Sequence, residues 1–355
     1  YAISFKINVD IGKEHGVFLS SNDQHVEMFL HKQTEERLRE MGAVNSNDCV
    51  NLDTGSIILG PKIMNDLYSL ISTNNKTDKS KFEEFVNENA RISFYGDFLY
   101  PLAKSATLDD YLKEAPEGKM CDELISCRKK IWNILHKYSM RLLCLSPAKF
   151  IHFGTTKELI GLMNEGIDEY SYLGWEKQVG TIGVKDFNIS SRNSLVLSGV
   201  SLQKNIYLED SRLSNCSVNE NCIISNVDLS NIDVPSNTVL HGLYLKNNKF
   251  IIRIYSIEDN PKLTYNNSSF LHTKISDFVN KNSLSKKDLW ENEDEDYLWF
   301  AKLYPVCSNC KECIDMCNIL LKMSSGKATQ LEIEKWRKSE RMSLYSSFNI
   351  SDIVK

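Results

Sequence analysis

The chain has 355 residues, with 42 Lys or Arg against 47 Asp or Glu, and therefore a net charge of −5. This balance argues against a protein that binds nucleic acid by neutralising phosphates, because such proteins carry a basic face. Hydrophobic residues at 42% and charged residues at 25% are ordinary for a folded protein and exclude disorder as its main state. The best apolar stretch, Ile131 to Leu145, is interrupted by charged and polar residues, which excludes a membrane span.

The first residues are strand-like and lack the basic start and cleavage site of a signal peptide. The chain also lacks an initiator Met, so we expect a fragment or a missing start. Ten cysteines without a secretory signal indicate free thiols in a reducing compartment. We therefore expect a cytoplasmic protein.

Strands and helices are predicted to alternate over the first part of the chain. Apolar patterns predict strands at 3–9, 16–19, 26–30 and Ser56–Leu59. Helices are predicted to follow an N-cap at Thr34, with a stop at Gly42, to open at Pro61 and to follow an N-cap at Ser80. This alternation predicts an α/β layer.

Residues 107–148 are predicted to be mostly helical. Apolar and aromatic side chains recur there at helical spacing and are expected to cover one face of the sheet: Leu124, Ile131, Ile134, Leu135, Tyr138 and Leu142. These side chains are best interpreted as core.

The composition changes near Gly174, and no helical pattern remains between Asn188 and Leu245. Short apolar pairs recur there about every five to six residues. Asparagines separate them, at Asn205, Asn215, Asn221, Asn226, Asn231 and Asn237. A parallel β-helix requires this pattern, with one inward apolar side chain per short strand and Asn at corners with positive φ. An irregular antiparallel domain is the alternative.

The end of the chain is predicted to contain a strand pair at Phe250–Tyr255 and then helices after Lys274. The acidic run at 288–300 is expected to be solvated surface. We therefore divide the chain into an α/β domain with a helical segment at 1–175, a parallel β-helix at 176–265 and a C-terminal helical segment at 266–355.

The most conspicuous spacing is that of Cys307, Cys310, Cys313 and Cys317, which is typical of an iron–sulfur or zinc site. However, Asn318 follows where a ferredoxin has proline, and a second cysteine run is absent. The last three cysteines also fit one helix face, where Cys packs as a small hydrophobe. We expect packing, with neither an iron–sulfur cluster nor zinc. The sequence has no phosphate-binding loop of the GxxxxGK[ST] type, no GxSxG and no HExxH.

Nine longer strings occur in an order that matches a known family. They are HGVFL (15–19), MFLHK (28–32), NLDTGSIIL (51–59), ISFYGDFL (92–99), FIHFGTTKEL (150–159), VLHGLYL (239–245), FIIRIYSIEDNPK (250–262), LWFAKLYPVC (298–307) and RMSLYSSFN (341–349). Together they resemble the GDP-fucose pyrophosphorylase domain of fucose-1-phosphate guanylyltransferases and of bifunctional L-fucokinase/GDP-fucose pyrophosphorylases. The resemblance implies a partial α/β nucleotidyltransferase-like layer followed by a parallel β-helix and C-terminal helices.

The resemblance also implies a sugar phosphate and a nucleotide as substrates, Mg²⁺ as cofactor, and a kinase domain as a further part of a longer polypeptide. In that family a Gly-rich loop upstream of this chain's first residues binds the nucleotide. We therefore expect a fragment, or a variant that has lost catalysis. Residues 1–355 alone are expected to bind fucose 1-phosphate weakly and to release no pyrophosphate from GTP.

Several matched residues are candidates for the site. Lys32 stands where the resemblance puts a sugar-phosphate lysine, with an ordinary surface lysine as the alternative. Asp53, Thr54 and Gly55 are candidates for substrate binding, and both Asp53 and Asp97 are candidates for binding sugar hydroxyls or Mg²⁺. Both aspartates could instead stabilise turns.

Thr155 and Thr156 open a predicted helix whose N-terminus could hold phosphate, although capping alone also explains them. His15 is interpreted as a strand-end histidine. Four residues after the repeat, Arg253, Asp259, Asn260 and Lys262, are interpreted as interdomain contacts.

Three functions remain open from the sequence. The first is synthesis of GDP-fucose, and the second is a non-catalytic sugar-phosphate-binding or structural module. The third is a β-helix acyltransferase, which needs a catalytic histidine among the coils, where His241 is the candidate.

Overall fold

The structure is a computed structural model that describes residues 1–87, 89–149, 151, 153–292 and 296–348. It divides into two compact units, Tyr1–Ile151 and His152–Lys355, here called unit 1 and unit 2. In the part of the chain that is described, no helix is long and apolar enough to cross a membrane.

A five-stranded sheet forms the centre of unit 1. Its strands are β1 Ala2–Asn8, β2 Gly16–Ser20, β3 Val26–His31, β4 Cys49–Ile57 and β7 Leu142–Leu145, and a separate hairpin consists of β5 Ser72–Thr73 and β6 Lys76–Thr77. The order across the sheet is β3-β2-β4-β1-β7, antiparallel except for the parallel pair of β1 and β7. Alternation in β1 sends Phe5 to one face of the sheet and Ser4 to the other.

In the described part of unit 1, six α-helices accompany this sheet: α1 Val9–Gly12, α2 Glu35–Glu40, α3 Pro61–Ser69, α4 Lys79–Phe85, α5 Leu108–Lys113 and α6 Asp122–Leu135. The predicted cap is confirmed, since Thr34 accepts from the Arg37 N–H and Gly42 follows the helix with φ +75°. Pro61 is the first residue of α3, as predicted. One apolar cluster joins α3, α4 and α6 to the sheet, and a second contains Leu38 of α2.

One strand prediction and one helix prediction in unit 1 are wrong. The strand expected at Ser56–Leu59 begins seven residues earlier, at Cys49. Buried Val50 and Leu52 alternate there with Asn51, which is the pattern of a half-buried strand. Leu142–Leu145 was expected to be helical, but these residues form β7 because they pair in parallel with β1.

The predicted cap at Ser80 is also wrong. The N-cap of α4 is Asp78, whose carboxylate accepts from the N–H groups of Ser80 and Lys81. A carboxylate is favoured at a helix N-terminus by the free N–H groups and the helix dipole.

Unit 2 is built on a parallel β-solenoid of about four turns. One side stacks β8 Gln178–Val179, β9 Ser190–Arg192, β12 Ile206–Glu209, β15 Cys222–Ser225 and β18 Thr238–Leu245. The other sides stack β10 Leu195–Val196, β13 Arg212–Ser214 and β16 Asp228–Ser230, and β11 Ser201–Leu202, β14 Ser217–Val218 and β17 Asp233–Val234. Inward side chains such as Leu208, Leu213 and Val218 are fully buried. The β-helix prediction is confirmed.

The asparagines lie at the corners of the solenoid, as predicted. All six have positive φ, between 45° and 58°. Asn205 donates to Asn221, and Asn221 donates to Asn237, with N···O distances of 3.2 and 3.1 Å and a spacing of 16 residues. A coil of 16 residues with three sides has about five residues per side. This agrees with the spacing of the apolar pairs in the sequence.

The rest of unit 2 contains helices, as predicted, together with additional strands. The helices are α7 Thr156–Gly161, α8 Ile275–Lys281, α9 Cys310–Ser324 and α10 Gln330–Lys338. The strands are β19 Lys249–Ser256, β20 Ser269–Phe270, β21 Thr273–Lys274, β22 Tyr304–Cys307 and β23 Arg341–Met342. β19, β22 and β23 continue the solenoid sheet beyond β18 by antiparallel pairing. The acidic run at 288–300 lies partly outside the described residues.

Candidate functional site

Two buried polar side chains lie opposite each other on adjacent strands of unit 1. Ser4 of β1 pairs with Asp53 of β4, so both side chains project from the same face of the sheet. Ser4 is fully buried and Asp53 is 6% exposed. Within the described residues, Ser4 Oγ and Asp53 Oδ2 have no hydrogen-bond partner. Because buried polar atoms are normally partnered, these two atoms are candidates for binding a ligand.

The second oxygen of Asp53 is used within the fold. Asp53 Oδ1 accepts from the Gly55 N–H at 2.9 Å. Burial raises the pKa of Asp53 to about 6, against the opposing effect of this hydrogen bond. Asp53 therefore titrates near pH 6. A hydrogen-bond donor that reaches Oδ2 would stabilise its charged form.

The segment after Asp53 forms an irregularity in β4. The pairing register shifts between Ala2 and Ser4, and Thr54 Oγ1 donates to Ile3 O at 2.8 Å. Gly55 has φ +70°, and a Cβ built on it would lie 2.9 Å from Tyr95 Oη. The hydroxyl of Thr54 thus fixes the strand, and Gly55 allows Tyr95 to approach it.

An aromatic row, defined as Phe29, His31 and Tyr95, borders Asp53. The ring centroids of Phe29 and His31 are 6.2 Å apart, as are those of His31 and Tyr95, with interplanar angles of 13° and 8°. A Cβ on Gly16 would lie 2.8 Å from the Phe29 ring and 3.2 Å from Asp53 Cβ. Glycine at this position thus lets the row and the carboxylate lie side by side.

Lys32 is the first residue after β3, directly following His31. Its side chain is exposed, its φ is +48°, and its N–H donates to His15 O at 2.9 Å. Burial lowers the pKa of His31, and the positive charge of Lys32 lowers it further.

Asp97 lies in a π-helical turn, Phe94–Leu99, that also carries Tyr95. Asp97 Oδ1 accepts from Arg128 Nε at 2.6 Å, and both side chains are 1% exposed. Asp97 Oδ2 accepts from the Ser93 N–H at 2.6 Å, and Tyr111 Oη donates to Asp97 O at 2.7 Å. This geometry favours a structural role over metal binding, because moving Asp97 would leave a buried guanidinium uncompensated.

Thr155 and Thr156 belong to unit 2. Thr155 is the N-cap of α7 and accepts from the Glu158 N–H at 3.1 Å, and Thr156 is the first residue of the helix. The helix has six residues and contributes Ile160 to an apolar cluster on the solenoid. The capping interpretation of Thr155 therefore has direct support, and phosphate binding stays a prediction.

His241 and Arg253 form a cross-strand pair on β18 and β19. The Arg253 Nη2 to His241 Nδ1 distance is 2.7 Å. Burial, assisted by the charge of Arg253, lowers the pKa of His241 to about 4. Asp259 Oδ2 accepts from the N–H groups of Ser256 and Leu271. These contacts all lie within unit 2, and they give the residues roles in its fold.

The cysteines of α9 pack as predicted. Cys313 and Cys317 are each 2% exposed, and Cys313 Sγ lies 3.2 Å from Phe250 O. All ten cysteines are free. Among the described residues, no group of three or more His, Cys, Asp or Glu could hold a metal ion. The expected lack of iron–sulfur and zinc stays a prediction that metal analysis of the purified protein can test.

Comparison with known proteins identifies the family. Residues 1–309 match the family model described as the fucose pyrophosphorylase domain. The chain belongs to this family. The resemblance found in the sequence is thereby confirmed.

Three relatives match most of this chain. A human fucose-1-phosphate guanylyltransferase is 26% identical over 99% of this chain, and a mouse protein of the same name is 27% identical over 88%. A bifunctional fucokinase/GDP-fucose pyrophosphorylase of Arabidopsis thaliana is 24% identical over 96%. The chain spans 64%, 59% and 33% of these relatives, respectively.

The sequence analysis missed four residues of the site, although each leaves a signal. Ser4 stands at an alternate position between the apolar residues of the first strand, and His31 directly precedes the candidate Lys32. Tyr95 lies in the same matched string as Asp97. Arg128 falls on the buried face of α6, where a charged side chain needs a buried partner.

Proposed function

We propose that the complete protein is a fucose-1-phosphate guanylyltransferase and that unit 1 of this chain binds the sugar phosphate. The reaction forms GDP-fucose and pyrophosphate from fucose 1-phosphate and GTP. The observation that carries the proposal is the buried pair of atoms that have no partner within the described residues, Ser4 Oγ and Asp53 Oδ2, in a chain of this family. A nucleotidyltransferase-like role for the α/β layer is part of the proposal.

Two side chains would act on the sugar phosphate. Asp53 Oδ2 accepts a hydrogen bond from a sugar hydroxyl, and Lys32 neutralises part of the phosphate charge. During transfer a phosphate oxygen of the sugar phosphate attacks the α-phosphate of GTP, and the bond to pyrophosphate breaks. Two anions must approach each other in this step, so a fixed positive charge stabilises the transition state.

The other candidates have supporting positions. Thr54 and Gly55 shape the strand that carries Asp53. Asp53 is 6% exposed, so a ligand reaches Oδ2 only after side chains around it have moved.

Magnesium stays a proposal that rests on the family. When bound in such a reaction, Mg²⁺ neutralises phosphate charge. Asp97 does not fit as its ligand, because both carboxylate oxygens already accept short hydrogen bonds, one of them from buried Arg128.

Steady-state synthesis of GDP-fucose by the complete protein tests the proposal. Lys32→Ala is expected to lower kcat/KM by about 10²-fold, which is typical when one charge-stabilising group is lost. Asp53→Asn is expected mainly to raise the KM for fucose 1-phosphate, because it removes an acceptor. Lys129→Ala, at an exposed position on α6, is the matched control and should keep wild-type activity. Full activity of Lys32→Ala would contradict the proposal.

A non-catalytic sugar-phosphate-binding module is the alternative. It predicts binding of fucose 1-phosphate by the complete protein without pyrophosphate release.

A kinase domain in a longer polypeptide remains a further proposal, supported by the name of the Arabidopsis relative. Free cysteines support a cytoplasmic location, which we also propose.

A further inference from the structure

The aromatic row leaves an apolar surface beside the polar pair. Tyr95 is 41% exposed and neighbouring Phe94 is 39% exposed, with their ring centroids 5.8 Å apart at 77°. Exposed apolar rings indicate a ligand-binding site when they lie beside a buried polar group that has no hydrogen-bond partner. Here the row adjoins Asp53 through Gly16 and Gly55.

The position of Tyr95 is fixed by its surroundings. Its ring stacks on His31, and its hydroxyl lies over Gly55, where the missing Cβ and the positive φ leave room. The π-helical turn that carries it is held by the buried pair of Asp97 and Arg128. A ring held in this way offers a flat apolar wall next to a hydrogen-bond acceptor.

Such a combination suits a ligand with one polar edge and one apolar group. Fucose is a 6-deoxy sugar, so its ring carries hydroxyls and a C6 methyl group. We propose that Tyr95 contacts this methyl group and thereby selects 6-deoxy sugars over sugars with a C6 hydroxyl, an inference that rests on the proposed function. A hydroxymethyl group at the same place would lose water without gaining a hydrogen-bond partner.

The expected selectivity is modest. Apolar contacts of this kind discriminate a methyl from a hydroxymethyl group by about 10- to 100-fold. Tyr95→Ala removes the ring and should lower the preference for the deoxy sugar by about 10-fold or more. Tyr95→Phe keeps the ring and should keep the preference, which separates the ring from the hydroxyl.

The test measures binding of L-fucose 1-phosphate and of L-galactose 1-phosphate, which adds one hydroxyl at C6, to the 355-residue chain. Saturation-transfer NMR suits weak ligands and reports which ligand protons lie against the protein. In the wild type, the fucose methyl protons should receive the strongest saturation and shift upfield through the ring current. Tyr95→Ala should lose both effects, and Tyr95→Phe should retain them. Tyr68→Ala, at another exposed tyrosine, is the control.

The outcomes separate the two claims. If the wild type binds neither sugar phosphate, the proposed binding role of this chain fails, and the inference fails with it. If fucose 1-phosphate binds but Tyr95→Ala keeps the methyl saturation and the preference, only the role of Tyr95 is overturned. Loss of both effects in Tyr95→Phe as well would assign selectivity to the hydroxyl and also overturn the inference.

Discussion

Replacing Asp53 by asparagine is expected to stabilise the protein while weakening substrate binding. Burial raises the pKa of Asp53 from 3.8 to about 6. A shift of roughly two pKa units corresponds to about 3 kcal/mol of cost for holding the charged form in the fold. Asparagine has nearly the same shape and no charge, so Asp53→Asn should raise the free energy of unfolding at pH 7 by about 1–3 kcal/mol.

The sign of the pH dependence follows from the raised pKa. Between about pH 4 and pH 6 the folded protein binds the Asp53 proton more tightly than the unfolded chain does. The free energy of unfolding contributed by this group therefore falls as the pH rises through that window. Asp53→Asn lacks this titration, so its advantage over the wild type should be present at pH 7 and absent at about pH 4.

Urea unfolding followed by circular dichroism at both pH values provides the measurement. Other groups titrate equally in both proteins, so the difference between them isolates Asp53. Asp109→Asn, at an exposed aspartate of α5, should change the free energy of unfolding by less than about 0.5 kcal/mol. The reasoning is refuted if Asp53→Asn is no more stable than the wild type at pH 7, or if its advantage is the same at both pH values.

Two further predictions concern the frame of each unit. Arg128→Met should lower the free energy of unfolding by about 3–5 kcal/mol, because Asp97 is left buried without its partner. Adding Asp97→Asn should recover part of this loss in the same urea assay. The ion-pair explanation is contradicted if the double variant loses as much free energy of unfolding as Arg128→Met alone. Asn221→Ala should cost about 1–2 kcal/mol, because alanine is strained at φ +58° and ends the hydrogen bonds to Asn205 and Asn237. Asn221→Gly should cost less, since glycine adopts that φ freely; thermal unfolding of the three proteins decides the order.

The solenoid could be predicted because its information is local. Each corner needs a residue that tolerates positive φ, and each short strand needs one buried apolar side chain. Asn221 and Leu208 satisfy these requirements through their own neighbours in the sequence. The solenoid can therefore be predicted from the sequence without knowledge of distant contacts.

The candidate site in unit 1 was predictable only in part. Asp53 and Lys32 are candidates named from the family resemblance, but the pairing of Asp53 with Ser4 depends on the register of β1 and β4. That register includes an irregularity at Thr54 and Gly55, which sequence periodicity does not reveal. The turn-forming chemistry of Asp53, Thr54 and Gly55 is visible in the sequence, but their place inside β4 is not.

Asp97 shows the opposite difficulty. Its place in a matched string suggested a ligand, whereas the structure gives it a buried partner 31 residues away in Arg128. Carboxylates that bind substrate and carboxylates that bind arginine look alike in a sequence. Only the burial of both partners distinguishes them.

A crystal structure of this chain with fucose 1-phosphate tests the central claim most directly. The account predicts a sugar hydroxyl within hydrogen-bond distance of Asp53 Oδ2 and the phosphate within reach of Lys32 Nζ, with the sugar against Tyr95. Fucose 1-phosphate bound in unit 2, or bound in unit 1 without contact to Asp53 and Lys32, would contradict it.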